Sequence, residues 1–321
     1  VPHLRGAIFL YLPKRAMARQ IWKDYYVVLG EGDSFDYRIL ADGEIIYQGK
    51  AYRKAAEGAV SIKVNEICAN YIGSHLPELM NLSWSSVSKT FDVQVLRGSV
   101  WVSQEQFSFY NNWSYSNTEK LSALVWNKVA PGQWMFISLP ASGGNSILVQ
   151  FPGNTYGISR TATEGIGVVK AEKNYSSVTI DGVKYNYVPC CRYVLYYANA
   201  LGGWDWLVIE GNYKEEDDVT RNERSISYNN AVVSNRGREH YLAQITKRMT
   251  LHTSWMSDME SQKMHHLLNS TNVYLHDLTS DEIIPVLLTN TTTKYKTYKG
   301  NGGQLVNYAI EVEFANRRIR R

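Results

Sequence analysis

The sequence predicts a mainly β protein, built as two or three β-sandwich-like domains, the last an α+β unit with one packed helix. Three observations lead there. Twenty-three Tyr and nine Trp favour the pleated, half-buried surface of a sheet. Short strand-like runs recur between turn signals at the spacing of roughly 8–12 residues that sandwiches and barrels show. And 321 residues is long for one hydrophobic core. The composition shifts suggest domains at 1–90, 91–224 and 225–321.

In the first segment, Tyr25 to Leu29 reads as a strand that ends at the turn-rich Gly30-Glu31-Gly32-Asp33. Phe35 to Ile39 alternates apolar and polar residues, as a strand with one buried face does. Asp42-Gly43 between Leu40 and Ile45 is a strong hairpin signal. Ala59 to Val64 alternates again, and Asn65 is placed to cap a short helix carrying Ile67, Cys68, Tyr71 and Ile72.

The middle segment repeats the theme. Strands are expected at Phe91–Val95, Val100–Val102, Trp134–Ile137 and Ile147–Val149, with Gly143-Gly144-Asn145 as a turn before the last. Val178–Ile180, Asp181-Gly182 and Val183–Tyr185 form a second hairpin. Beyond Ser225, Ser257 and Glu260 match a capping box for a helix that sets Met264, Leu267 and Leu268 on one face. Val273–Leu275 and Ile283–Leu288 are strands, and Pro285 argues for an edge or a bulge in the latter. Leu305 to Phe314 alternates cleanly as a last strand.

Composition limits the function classes. The net charge of +4 gives no reason to expect nucleic-acid binding, and no stretch approaches the length of a membrane span. Cys68, Cys190 and Cys191 are odd in number and two are adjacent, a pattern of thiols and not of a disulfide framework. Near the N-terminus the basic residues follow the apolar run, the reverse of a secretion signal. His265 and His266 are neighbours and point about 100° apart, so they cannot share a metal, and His252 and His276 add no ligand spacing. Glu215 to Asp218, expected in an exposed loop, cannot flank a sugar ring from two sides. Gly165-Ile166-Gly167 lacks the third glycine of a dinucleotide fold, and nucleophile elbows and phosphate loops are missing. The expectation is therefore no catalytic residue, no cofactor and no metal.

Arg192 to Gly211 is the most distinctive stretch: a strand, a Gly202-Gly203 turn and a second strand, aromatic on both arms. The residues suit a core hairpin. They also resemble structural virion proteins of tailed phages and prophages of gut Bacteroidota, in which Leu-Tyr-Tyr, a spacer and Gly-Gly-Trp-Asp recur, here at Leu195–Tyr197 and Gly202–Asp205. Leu267–Ser270, Val273–Leu275, Ile284–Val286 and Tyr295–Lys299 look like the end of the same proteins. That resemblance implies a tail, neck or baseplate component of the virion, assembled in the host cytoplasm with copies of itself and other virion proteins as partners. It transfers no functional residue. A carbohydrate-binding or adhesin-like sandwich is the alternative, with Trp113, Tyr115, Trp204 and Trp206 as an aromatic contact surface. Lys294, Lys296 and Lys299, with Arg317, Arg318, Arg320 and Arg321, are the candidate basic contacts, although a solvated tail also accounts for the arginines.

Overall fold

The computed structural model describes residues 19–21, 24–54, 58–72, 76–110, 122, 127–139, 146–159, 165–225, 238–289, 305–315 and 318–320. The protein is mostly β, with two short helices among these residues. It divides into two compact units, one from Val1–Gly73 and Ser88–Asn111, the other from Ser74–Val87 and Asn112–Arg321. These divisions differ from residues 90 and 224 because strands pair across both positions.

In the first unit, β1 (Arg19–Gln20), β8 (Val100–Tyr110), β7 (Ser88–Arg97), β3 (Ser34–Ala41) and β4 (Glu44–Tyr52) lie side by side in that order. The β3–β4 hairpin turns at Asp42-Gly43, whose φ values of 51° and 86° are the left-handed pair that a two-residue turn needs. A second, two-stranded sheet of β2 (Tyr26–Gly30) and β5 (Val60–Lys63) shares one core with it. Alternation decides which side chains enter: Ile39 and Ala41 from β3, Phe91, Val93 and Val95 from β7, Phe107 and Phe109 from β8. The helix α1 (Asn65–Ile72) contributes Cys68 and Ile72. Asn65, expected as its cap, uses its amide to join neighbouring chain, donating to the Ile21 carbonyl at 2.8 Å and accepting from the Tyr25 N–H at 2.5 Å.

The second unit contains three sheets. One is β10 (Trp134–Leu139), β13 (Gly165–Lys170) and β6 (Ser83–Ser86). Another is β12 (Asn154–Ile158), β11 (Ile147–Phe151), β14 (Ser177–Ile180), β15 (Val183–Tyr187) and β9 (Lys128–Val129). Asp181-Gly182 makes the β14–β15 turn as the sequence predicts, while the turn expected at Gly143–Asn145 lies outside the described residues. The Gly165-x-Gly167 pair belongs to the buried strand β13. A Cβ on Gly165 would lie 2.5 Å from the Trp84 ring and 2.6 Å from the Ser85 carbonyl, so packing explains that glycine.

The third sheet runs β17 (Trp204–Ile209), β16 (Tyr193–Ala198), β20 (Val273–Asp277), β21 (Glu282–Leu288), β22 (Ala309–Phe314), β19 (Arg238–His252) and β18 (Tyr213–Ser225). β23 (Arg318–Arg320) also pairs with β19. Three residues, Glu210 to Asn212, join β17 at one edge to β18 at the other. Such a link reaches about 14 Å, whereas six strand spacings of a flat sheet span about 29 Å. The sheet must therefore curl until its edges meet.

Both faces of β16 and β17 are covered. Tyr193, Leu195, Tyr197, Leu207 and Ile209 point into the core inside the curl, which α2 (Asp258–Leu268) fills with Met264 and Leu267. Val194, Tyr196, Ala198, Trp204, Trp206 and Val208 point into the core shared with the two smaller sheets. This two-sided burial is the physical reason for an unbroken apolar run where other strands alternate. Helix α2 begins with the predicted capping box, Ser257 Oγ accepting from the Glu260 N–H at 3.4 Å and Glu260 Oε2 accepting from the Ser257 N–H at 2.7 Å.

Pro285 stands in β21, an interior strand and not an edge. Its carbonyl accepts from the Ala315 N–H at 3.0 Å, beyond the last β21–β22 pair at Val286–Phe314. Its nitrogen faces the same way, to where that ladder ends and no donor is required.

Candidate functional site

A cleft of about 330 Å³ opens where the curled sheet meets itself. Arg192, just before β16, donates to Asp277 Oδ2 at 3.0 Å and to the Tyr213 hydroxyl at 2.7 Å. Its guanidinium also stacks 4.9 Å from the Tyr193 ring centre. Tyr193 donates to Glu215 at 3.0 Å, and Lys247 pairs with the same carboxylate at 2.6 Å. The Lys247 bond, with that of Tyr193, holds Glu215 below the usual carboxylate range. Burial alone would raise Asp277, but its bonds from Arg192 and the Thr279 N–H reverse this and hold it low. Both carboxylates are thus fixed as anions against cations. The arrangement fastens β16 and β20 to β18 and β19.

A second polar chain runs through the buried wall. Tyr196 Oη accepts from the Trp134 N–H at 2.8 Å, so its proton points to His276 Nδ1 at 2.8 Å. That leaves His276 Nε2 to donate to Asp281 Oδ1 at 3.0 Å, and Asp281 Oδ2 meets Lys170 Nζ at 3.0 Å. The Tyr196–His276 bond requires a neutral imidazole, since a protonated ring has no acceptor at Nδ1. Burial, the largest influence, lowers the His276 pKa, outweighing the opposite pull of Asp281. A depressed histidine binds fewer protons folded than unfolded between the two pKa values, so stability falls as pH falls. Its contribution is complete above the unfolded value near 6.5 and is lost through the lower folded one. The urea midpoint should therefore decline as the pH falls below about 6.5, and His276→Gln should flatten that decline. Equal slopes in both proteins would refute the assignment.

Two of the three thiols, Cys68 and Cys191, are poised against reactivity. Burial pushes Cys68 up to about 12, and burial with Glu210 pushes Cys191 up to about 11. Among the described residues no group of three or more His, Cys, Asp or Glu is placed to hold a metal, and no helix is long and apolar enough to cross a membrane.

No protein-family model matches the chain, and no curated protein matches it.

The aromatic surface expected from the sequence is not formed by its described members. Trp204 and Trp206 are 3% and 1% exposed, because their strand is the wall between two cores. Trp113 and Tyr115 lie outside the described residues. The tryptophan left most open among the described residues is Trp255, 64% exposed, which the sequence did not single out. Lys294, Lys296, Lys299, Arg317 and Arg321 also lie outside the described residues. Arg318 and Arg320 belong to β23, opposite Ile245 and Ala243, and not to a frayed tail.

Glu215 to Asp218, expected in a loop, lie in β18. With β19 this strand forms a ribbon whose ladder runs from Tyr213–Leu251 to Ser225–Arg238. The other neighbours of β19 stop short: β22 pairs with Arg248–His252 and β23 with Ala243–Ile245. Past Ala243 the ribbon is two strands wide among the described residues, and along its length the outer edge of β18 pairs with no described strand. The only signals were the strand-forming residues of Tyr241 to Thr246 and the many charges between Lys214 and Arg224. Neither distinguishes a ribbon from a loop.

Proposed function

We propose that the chain is a non-enzymatic structural component of a tailed-phage virion, assembling through β-domain contacts into a tail, neck or baseplate ring. The observation that supports this best is the β18–β19 ribbon, which outruns its own sheet and offers an open strand edge. A two-stranded ribbon buries little within its own chain, and it gains most when another chain packs or pairs along it. The ionic clusters support the same reading, since their carboxylates are held as anions and fasten strands together. The partners are copies of the chain and other virion proteins, and the location is the virion, assembled in the host cytoplasm. The carbohydrate-binding alternative loses Trp204 and Trp206 to the core and keeps Trp255 as its exposed ring.

The test is the mass of the purified chain by light scattering across a concentration series. Growth toward a ring-sized oligomer is expected. A strict monomer that binds members of a glycan panel would replace this reading with the alternative.

A further inference from the structure

We propose that the open edge of β18 pairs with β18 of a second copy, antiparallel about a two-fold axis at Val219. This rests on the assembly reading above and names a contact that joins copies in pairs, not one between neighbours around a ring.

The backbone sets which residues can pair. The His252 N–H donates to the Asn212 carbonyl at 3.0 Å, so Asn212 faces β19. Alternation then turns the N–H and C=O of Asp217, Val219 and Arg221 toward the open side. β18 contains no proline over its thirteen residues, and its ladder shift is absorbed by β19, where Tyr241 is the extra residue. The edge is therefore regular where it is free.

Charge selects the partner and its direction. Asp217 and Arg221 stand four residues apart on one face of β18, and among the described residues neither is in an ion pair. An antiparallel copy centred on Val219 brings each Arg221 opposite the second copy's Asp217, giving two ion pairs around a valine pair. Farther out, Lys214 meets Arg224 and Glu215 meets Glu223. There Lys214 already holds Glu216, and Glu215 already holds Lys247, within the same copy. A parallel copy in register would instead set Glu215 to Asp218 against themselves. Antiparallel self-pairing of this edge is thus charge-matched at its centre, where Asp217 and Arg221 meet, while the outer like charges of Lys214 and Glu215 are already neutralised within each copy. The parallel direction is repulsive throughout the acidic run.

A charge-swap series read by sedimentation equilibrium tests this. Asp217→Arg and Arg221→Asp should each weaken self-association by roughly tenfold or more, because each replaces two attractions by two repulsions. The double variant restores opposite charges across the axis and should return to within a few-fold of the unmodified chain. Both side chains are exposed, and circular dichroism checks that the fold is intact. Oxidised Val219→Cys should give a covalent dimer that the unmodified chain does not, since directly opposed hydrogen-bonded residues lie within disulfide reach. Assembly indifferent to both single swaps, with no Val219→Cys dimer, would overturn this contact and leave the assembly reading standing. A chain that stays monomeric throughout would overturn the contact and count against the assembly reading too.

Discussion

Replacing Trp206 by alanine is expected to lower the stability of the second unit by about 3–5 kcal/mol, the range for removing a large ring from a packed core. The ring is 1% exposed, its centre 5.8 Å from that of Tyr185. Its Nε1–H donates to the Lys128 carbonyl at 2.9 Å. Alanine would leave a cavity on the outer side of the wall formed by β16 and β17, and would take a donor from Lys128. Collapse around the cavity is restricted, because the same strand is held from its other side by Leu207 and Ile209. Trp206→Phe keeps much of the volume and should cost clearly less. Urea unfolding followed by far-ultraviolet circular dichroism measures both, and a loss below about 1 kcal/mol for the alanine variant would contradict the two-core arrangement.

Asn199→Ala should be comparably damaging, at about 3–5 kcal/mol, although it removes little apolar surface. The Asn199 side-chain Oδ1 accepts from the Leu201 and Gly203 N–H groups, each at 3.0 Å, and shapes the turn between β16 and β17. Its amide nitrogen donates at 2.8 Å to Asp205, a fully buried carboxylate that also accepts from the Ser122 hydroxyl at 2.6 Å. Alanine withdraws three bonds at once from groups that water cannot readily reach. Asn199→Asp should be worse, since it sets a second carboxylate against Asp205. Thermal unfolding of the three proteins gives the order, and an alanine variant as stable as the parent would show that the turn is held by the backbone alone.

Both variants probe the hairpin that the sequence made most conspicuous, and the wall it forms explains what could be read and what could not. An unbroken run such as Tyr193 to Ala198 signals burial on both faces, but it does not say what lies on either side. Hence Trp204 and Trp206 could be read equally well as core or as an open contact surface. The Asp42-Gly43 and Asp181-Gly182 turns, the alternation of β3 and β7 and the capping box of α2 were legible because each depends on residues close in sequence. The Arg192–Asp277 and Tyr196–His276 contacts were not, since their partners are 85 and 80 residues apart.

The sequence by itself determined the mainly β class, both Asp-Gly hairpins and the start of α2, because turn chemistry, strand alternation and helix capping act over a few residues. The tertiary structure decided which strands share a sheet, where the units divide, that the acidic run at Glu215 is a strand and that the edge of β18 stays open. Those outcomes depend on pairing between distant segments and on a three-residue link too short for a flat sheet. Neither leaves a mark in local composition.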